Sequence, residues 1–86
     1  MGMVKQGEYV AIFNSIHRVL KAEKLLKGRR FQILLIPVPR LLSSDCGLAI
    51  RYTDEERAVV EGALAEAGLL PEETYVRDGE SYRKIS

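Results

Sequence analysis

The segment from Phe31 to Val38, Phe-Gln-Ile-Leu-Leu-Ile-Pro-Val, is largely apolar on both alternating faces, and prolines stand at positions 37 and 39. A run of this length rich in apolar and β-branched residues reads as a strand. A sheet with one wet face shows polar residues on that face, so a strand apolar on both sides needs cover on both. Proline has no N–H to give to a ladder, which puts this strand at a sheet edge, at least at its far end. The longest uninterrupted apolar stretch, the six residues Ile33 to Val38, is far short of the ~20 that span a bilayer.

Tyr9 to Phe13 repeats the pattern, with Tyr9, Ala11 and Phe13 alternating against Val10 and Ile12. Two strands that are apolar on both faces predict a covered outer sheet face. A homodimer stacked sheet to sheet through that open face is the first expectation.

The rest of the chain falls into short segments. Asn14 and Ser15 are candidate N-caps for a helix running to about Lys27, with Val19, Ala22 and Leu26 on its inner side. Gly28 is the expected left-handed stop. Leu48 to Tyr52 reads as a third strand. Thr53-Asp54-Glu55-Glu56 has the spacing of a capping box, opening a second helix from about Asp54 to Ala67 that Gly68 ends. Gly62 inside it weakens the helix and is read as a mark of close packing on a strand. Glu73 to Arg77 is a fourth strand. Asp78-Gly79 suits a type I′ turn, returning Ser81 to Ile85 as a short fifth.

The order β-α-β-β-α-β predicts an α+β, ferredoxin-like sandwich, with two helices on one face of a four-stranded antiparallel sheet. Residues 1–7 read as a flexible leader and 8–86 as a single domain, with a terminal hairpin at 73–86. In this order strand 2 ends at the sheet edge where helix 1 begins. The loop after strand 2 should therefore lie beside Asn14, Ser15 and the first helical turn, joined there by Gly68 to Pro71.

That loop holds the one cysteine, in Ser43-Ser44-Asp45-Cys46-Gly47. Turn formers around it predict a thiol near solvent; the competing reading is a partly buried small hydrophobe against Leu48. A thiol reacts as its thiolate, which a helix N-terminus or a neighbouring cation favours. His17 in the first helical turn and Arg40 at the loop's opening are the candidate cations. Asn14, Ser15, Ser43, Ser44 and the backbone at Gly47 are candidate polar contacts, and Gly47 would let backbone approach the sulfur. Asp45 opposes them by its charge. One cysteine and one histidine cannot close a tetrahedral metal site within a monomer, and no cofactor is expected. A single thiol forms no intrachain disulfide, which with the missing apolar leader suits a cytoplasmic protein. The formal net charge of +1 argues against a dedicated nucleic-acid binder, and no membrane partner is expected.

Across Tyr9-Val-Ala-Ile-Phe-Asn-Ser-Ile-His17, Ala22-Glu-Lys-Leu-Leu26, and Ile36-Pro-Val-Pro-Arg40 through Ser44-Asp-Cys-Gly-Leu-Ala49, the chain resembles a family of small bacterial domains described as selenium/sulfur carrier protein-like. The resemblance covers roughly residues 8 to 77. That family usually has a small polar residue where Asp45 stands. The resemblance implies a carrier rather than a self-sufficient enzyme: Cys46 would take a sulfur or selenium atom from a donor protein, hold it as a persulfide or selenopersulfide, and pass it to an acceptor. The alternative from the residues alone is a dimeric interaction module or small-anion binder in which Cys46 is structural.

Overall fold

A computed structural model of the chain describes residues 4–44 and 46–86. It contains β1 (Tyr9–Ile12), α1 (Ile16–Gly28), β2 (Ile33–Pro37), β3 (Leu48–Tyr52), a 3-10 turn (Asp54–Glu56), α2 (Arg57–Glu66), β4 (Glu73–Asp78) and β5 (Ser81–Lys84). The strands form one sheet in the order β2-β3-β1-β4-β5, every neighbouring pair antiparallel. Among the described residues the fold is a mixed α+β one with two helices and a five-stranded sheet, in which the expected return of the terminal hairpin extends the expected four-stranded sheet by one strand. β5 pairs with β4 from Tyr75↔Lys84 to Asp78↔Ser81, and Ile85 N–H donating to Thr74 O carries the pairing further.

Central position and burial coincide at β1. It is hydrogen-bonded to β3 on one side and β4 on the other, and all four of its residues are buried. Tyr9, Ala11 and Phe13 face the helices, packing with Val19, Ala22 and Leu26 of α1, Val60, Ala63 and Leu64 of α2, and Ile50 and Tyr52 of β3. Truncating a residue such as Phe13 or Leu26 here removes buried area and leaves a cavity, at about 2–5 kcal/mol.

Val10 and Ile12 face the other way, with Ile36 and Ala49. Among the residues that motivated the homodimer Leu34 stays 41% exposed, but Val10 is 0% exposed and Ile12 and Ile36 2%, with Ala49 beside them at 0%. The chain covers them itself, with Val4, Val38, Leu42, Tyr75 and Tyr82 and, from Glu8, a partly buried ion pair to Arg51. Val4 is 2% exposed. Its carbonyl accepts from the Arg77 guanidinium at 2.9 Å, and Gly7 N–H donates to Arg77 O at 3.1 Å. Residues 4–7 of the expected leader thus lie along β4, and residues 1–3 are outside the described residues.

Pro37 and Pro39 sit as expected, at and just past the end of an edge strand. Other local expectations move. α1 runs through Gly28, and the left-handed residue is Arg30 (φ 62); Arg29 N–H donates to Leu25 O and Leu26 O, and Phe31 N–H to Leu26 O, so carbonyl capping sets the stop. The capping box does not form. Thr53 makes no side-chain cap, and the Glu56 carboxylate instead accepts from Gln32 N–H at 2.7 Å. Gly62 is exposed, with no atom near its would-be Cβ, so it marks no close packing. The β4–β5 turn is centred on Gly79-Glu80, with positive φ at Gly79 alone, the II′ pattern rather than I′.

At the end of β1 away from Phe13, side chains tie α2 to the sheet. Tyr9 stacks on Tyr52 with ring centroids 5.5 Å apart. Tyr9 O–H donates to Asp54, Tyr52 O–H donates to Glu61 at 2.8 Å, and Arg57 donates to both Glu61 and the Tyr9 oxygen. Burial, and then the Glu61 carboxylate, push the Tyr52 phenol far above its ordinary range. In the unfolded chain the same phenol ionises near pH ~10. Above that pH the unfolded state binds fewer protons, so this contribution is complete below about pH 10 and declines as pH rises further. Tyr52→Phe is expected to lose about 1 kcal/mol at neutral pH and to flatten the alkaline loss of stability in denaturant titrations. An unchanged alkaline slope would remove Tyr52 from that account.

Candidate functional site: the Cys46 loop

The loop joining β2 to β3, residues 38–47, begins on one face of the sheet and ends on the other. Val38 and Leu42 pack on the far cluster, whereas Cys46 and Leu48 pack on the helix-side cluster. Val38 N–H donating to Gly47 O at 3.0 Å pinches its base, and Leu42 N–H donating to Pro39 O closes a turn within it. Gly47 has φ 73, a left-handed conformation that disfavours a Cβ. Nothing lies within 4 Å of a Cβ built there. The glycine serves the backbone turn, which its left-handed φ requires.

The loop is fastened to the end of β1 through a single carbonyl. Ser44 O–H donates to Phe13 O at 2.8 Å, and the Cys46 sulfur lies 3.2 Å from the same oxygen as its donor. The Cys46 thiol also donates toward Leu48 O at 3.3 Å. Ser44 Oγ accepts from Cys46 N–H at 3.2 Å, the serine turn in which a side chain binds backbone two residues on. It lies 3.5 Å from the sulfur. Cys46 is half-buried and packs with Leu48 on the helix-side core, which agrees with the competing reading of a partly buried residue rather than with a thiol near solvent. Asp45 lies outside the described residues.

The other candidates divide. Asn14, Ser43 and Ser44 line a cleft of about 310 Å³ with Glu72 and Glu73, and Asn14 Nδ2 donates to Glu72. Ser15 is the N-cap of α1, its hydroxyl accepting from Arg18 N–H at 3.2 Å. The connection after α2 joins this edge, since Arg18 donates to Gly68 O and Leu70 O, and Glu72 N–H donates to Ile12 O at 2.7 Å. His17 stands apart, exposed on a shallow groove with Lys21 and Lys24. Arg40 is exposed along a groove on the opposite face with Val38, Arg77 and Tyr82. Neither cation hydrogen-bonds Cys46 among the described residues. No group of three or more His, Cys, Asp or Glu among the described residues is arranged to hold a metal ion.

Sequence reasoning missed three participants. The Phe13 carbonyl holds both loop side chains, and a backbone atom has no residue-type signal. Glu72 and Glu73 make the cleft acidic; they directly follow Pro71, which topology already brought to this edge.

The profile of a family described as Putative Se/S carrier protein-like matches residues 8–76. No curated protein and no solved structure matches the chain.

Ser44→Ala removes both the tie to Phe13 O and the acceptor for Cys46 N–H. Losing about 1 kcal/mol of hydrogen bonding raises the population of an opened loop roughly fivefold. Cys46 alkylation at fixed pH is expected to accelerate by that order, and an unchanged rate would mean the tie does not restrain the thiol. Gly47→Ala is expected to destabilise the fold by about 1 kcal/mol through its left-handed backbone, read as a lowered denaturation midpoint.

Proposed function

The chain belongs to the Putative Se/S carrier protein-like family, and on that premise we propose that it carries a single sulfur or selenium atom on Cys46 between a donor and an acceptor protein. One observation carries the reading. The chain's only thiol is half-buried on a surface loop fastened by few bonds, at the end of a rigid central strand.

The chemistry needs no second thiol. The Cys46 thiolate attacks the outer sulfur of a persulfide on the donor. The donor's S–S bond breaks, its thiolate leaves and takes up the proton Cys46 gave up, and Cys46 holds the persulfide. Nothing is oxidised or reduced overall. A selenopersulfide on the donor would deliver selenium in the same way. An acceptor thiolate attacks the outer atom in turn and releases Cys46. Oxidation of Cys46 to sulfenic acid blocks the cycle.

The resting loop bears on the first step. Phe13 O and Leu48 O accept the thiol proton, and a carbonyl cannot donate to a sulfur anion. The thiol therefore leaves these carbonyls before it attacks. Asn14, Ser43 and Ser44, with Glu72 and Glu73, are the polar groups of the adjoining cleft that an arriving partner would meet. The same reading takes the scaffold as ferredoxin-like with one added strand, which the order β4-β1-β3-β2 inside the sheet supports. It places the protein in the cytoplasm, where a lone thiol stays reduced.

The two carbonyl contacts also favour a second reading, in which Cys46 is a structural residue of an interaction module. Its other elements have less support. Glu72 and Glu73 in the cleft repel a small anion, and a homodimer through the sheet face would have to displace the chain's own cover. Light scattering at high micromolar concentration tests that dimer.

For the carrier reading, the protein is incubated with a cysteine desulfurase and cysteine, and its intact mass is measured. One added sulfur atom is expected on the wild type and none on Cys46→Ala. No addition to either, or equal addition to both, overturns it.

A further inference from the structure

Residues 16–30, α1 and the turn after it, contain six of the chain's thirteen basic residues and one of its twelve acidic ones. This short segment is net positive by five charges (six against one) in a chain of net charge +1. Among the described residues, Arg18, Lys21, Lys24 and Lys27 form no ion pair. The neighbouring helix and the turn before it do little to neutralise them: among the described residues only Glu55 there is exposed without a partner, and the other carboxylates are already engaged. Asp54 accepts from Tyr9, Glu56 from Gln32 N–H and Glu61 from Tyr52 and Arg57, while Glu66 pairs with Arg29. A second copy of the chain would for the same reason offer α1 little free acid from α2.

Cations spaced three and four residues apart repel along a helix, and a purely solvated face has no use for large apolar residues among them. Yet Ile16 is 47% exposed and Leu20, one turn on, 44%. Leu20 lines a shallow groove with His17, Arg18, Lys21, Lys24 and Leu69. The inner side of α1 is spent on the sheet through Val19, Ala22 and Leu26, so the exposed side is an additional surface. It starts three residues after Phe13, whose carbonyl holds Cys46.

We infer that the exposed face of α1, centred on Ile16, Leu20, Lys21 and Lys24, docks a protein partner that presents carboxylates around an apolar centre. The free cations complement such a surface, and Ile16 and Leu20 supply its dry middle. A nucleic acid fits less well, for the face has no Phe, Tyr or Trp and offers a base only the His17 imidazole to stack on. A lipid surface fits less well because the helix's larger apolar side is buried. Calling this partner the donor or acceptor rests on the carrier reading; the surface itself does not.

The test titrates the ¹⁵N-labelled chain with a synthetic helical peptide carrying Glu and Leu at helical spacing, and separately with an oligothymidine and with phosphatidylglycerol vesicles. The peptide is expected to shift the amides of His17, Leu20, Lys21 and Lys24. Its binding should weaken about tenfold in the double variant Lys21→Glu/Lys24→Glu, fall on adding about 0.5 M salt, and drop in Leu20→Ala. The double variant removes like-charge repulsion, so its Tm should not fall, and it should load sulfur from inorganic polysulfide like the wild type. Shifts scattered away from α1, an unaffected double variant, or tighter binding of the oligothymidine or vesicles would overturn the inference. Failure of the carrier reading would look different: no sulfur on the wild type, with the peptide shifts intact.

Discussion

The structure depends on burying β1 from both sides while its edges are paired with β3 and β4. Within the strand, the ladders occupy the backbone groups. Where pairing stops, carbonyls become free, and an unpaired carbonyl at the margin of a core needs a donor. Ile12 O finds one in Glu72 N–H, and Phe13 O finds two in Ser44 and Cys46. The candidate site is in this sense the finishing of a central strand. The groups that complete its last hydrogen bonds are the groups that hold the thiol.

The same constraint shapes the far face. Helices cover one side of the sheet, and the other has to be closed with short segments of chain: Val4 before β1, Val38 and Leu42 after β2, Tyr75 and Tyr82 on the last hairpin. Because residues 38–47 both close this face and deliver Cys46 to the other, the loop passes around the end of the sheet.

Much of the strand layout was legible because its cause is local. β-Branched and aromatic residues mark β1 to β4, Pro37 and Pro39 mark an edge, and Ser15 marks the start of α1. Boundaries set by distant partners were not. Glu56 satisfies Gln32 N–H across the fold rather than capping its own helix, and α1 includes Gly28 as its last residue, its last carbonyls being closed from Arg29 and Phe31. The self-cover of the far face was hidden for a related reason. A lone valine ahead of Lys5 and Gln6 has no periodicity, so nothing local distinguishes Val4 from a loose end. For the site, topology brought the loop, Asn14 and the residues after Gly68 to one edge, but it could not rank His17 and Arg40, whose side chains face elsewhere.

The doubly held thiol proton has a consequence for when the sulfur is available. Phe13 O and Leu48 O both lie within reach of its one hydrogen, and a thiol reacts as its anion. On the carrier reading, transfer therefore starts with an encounter that draws the loop from the strand end.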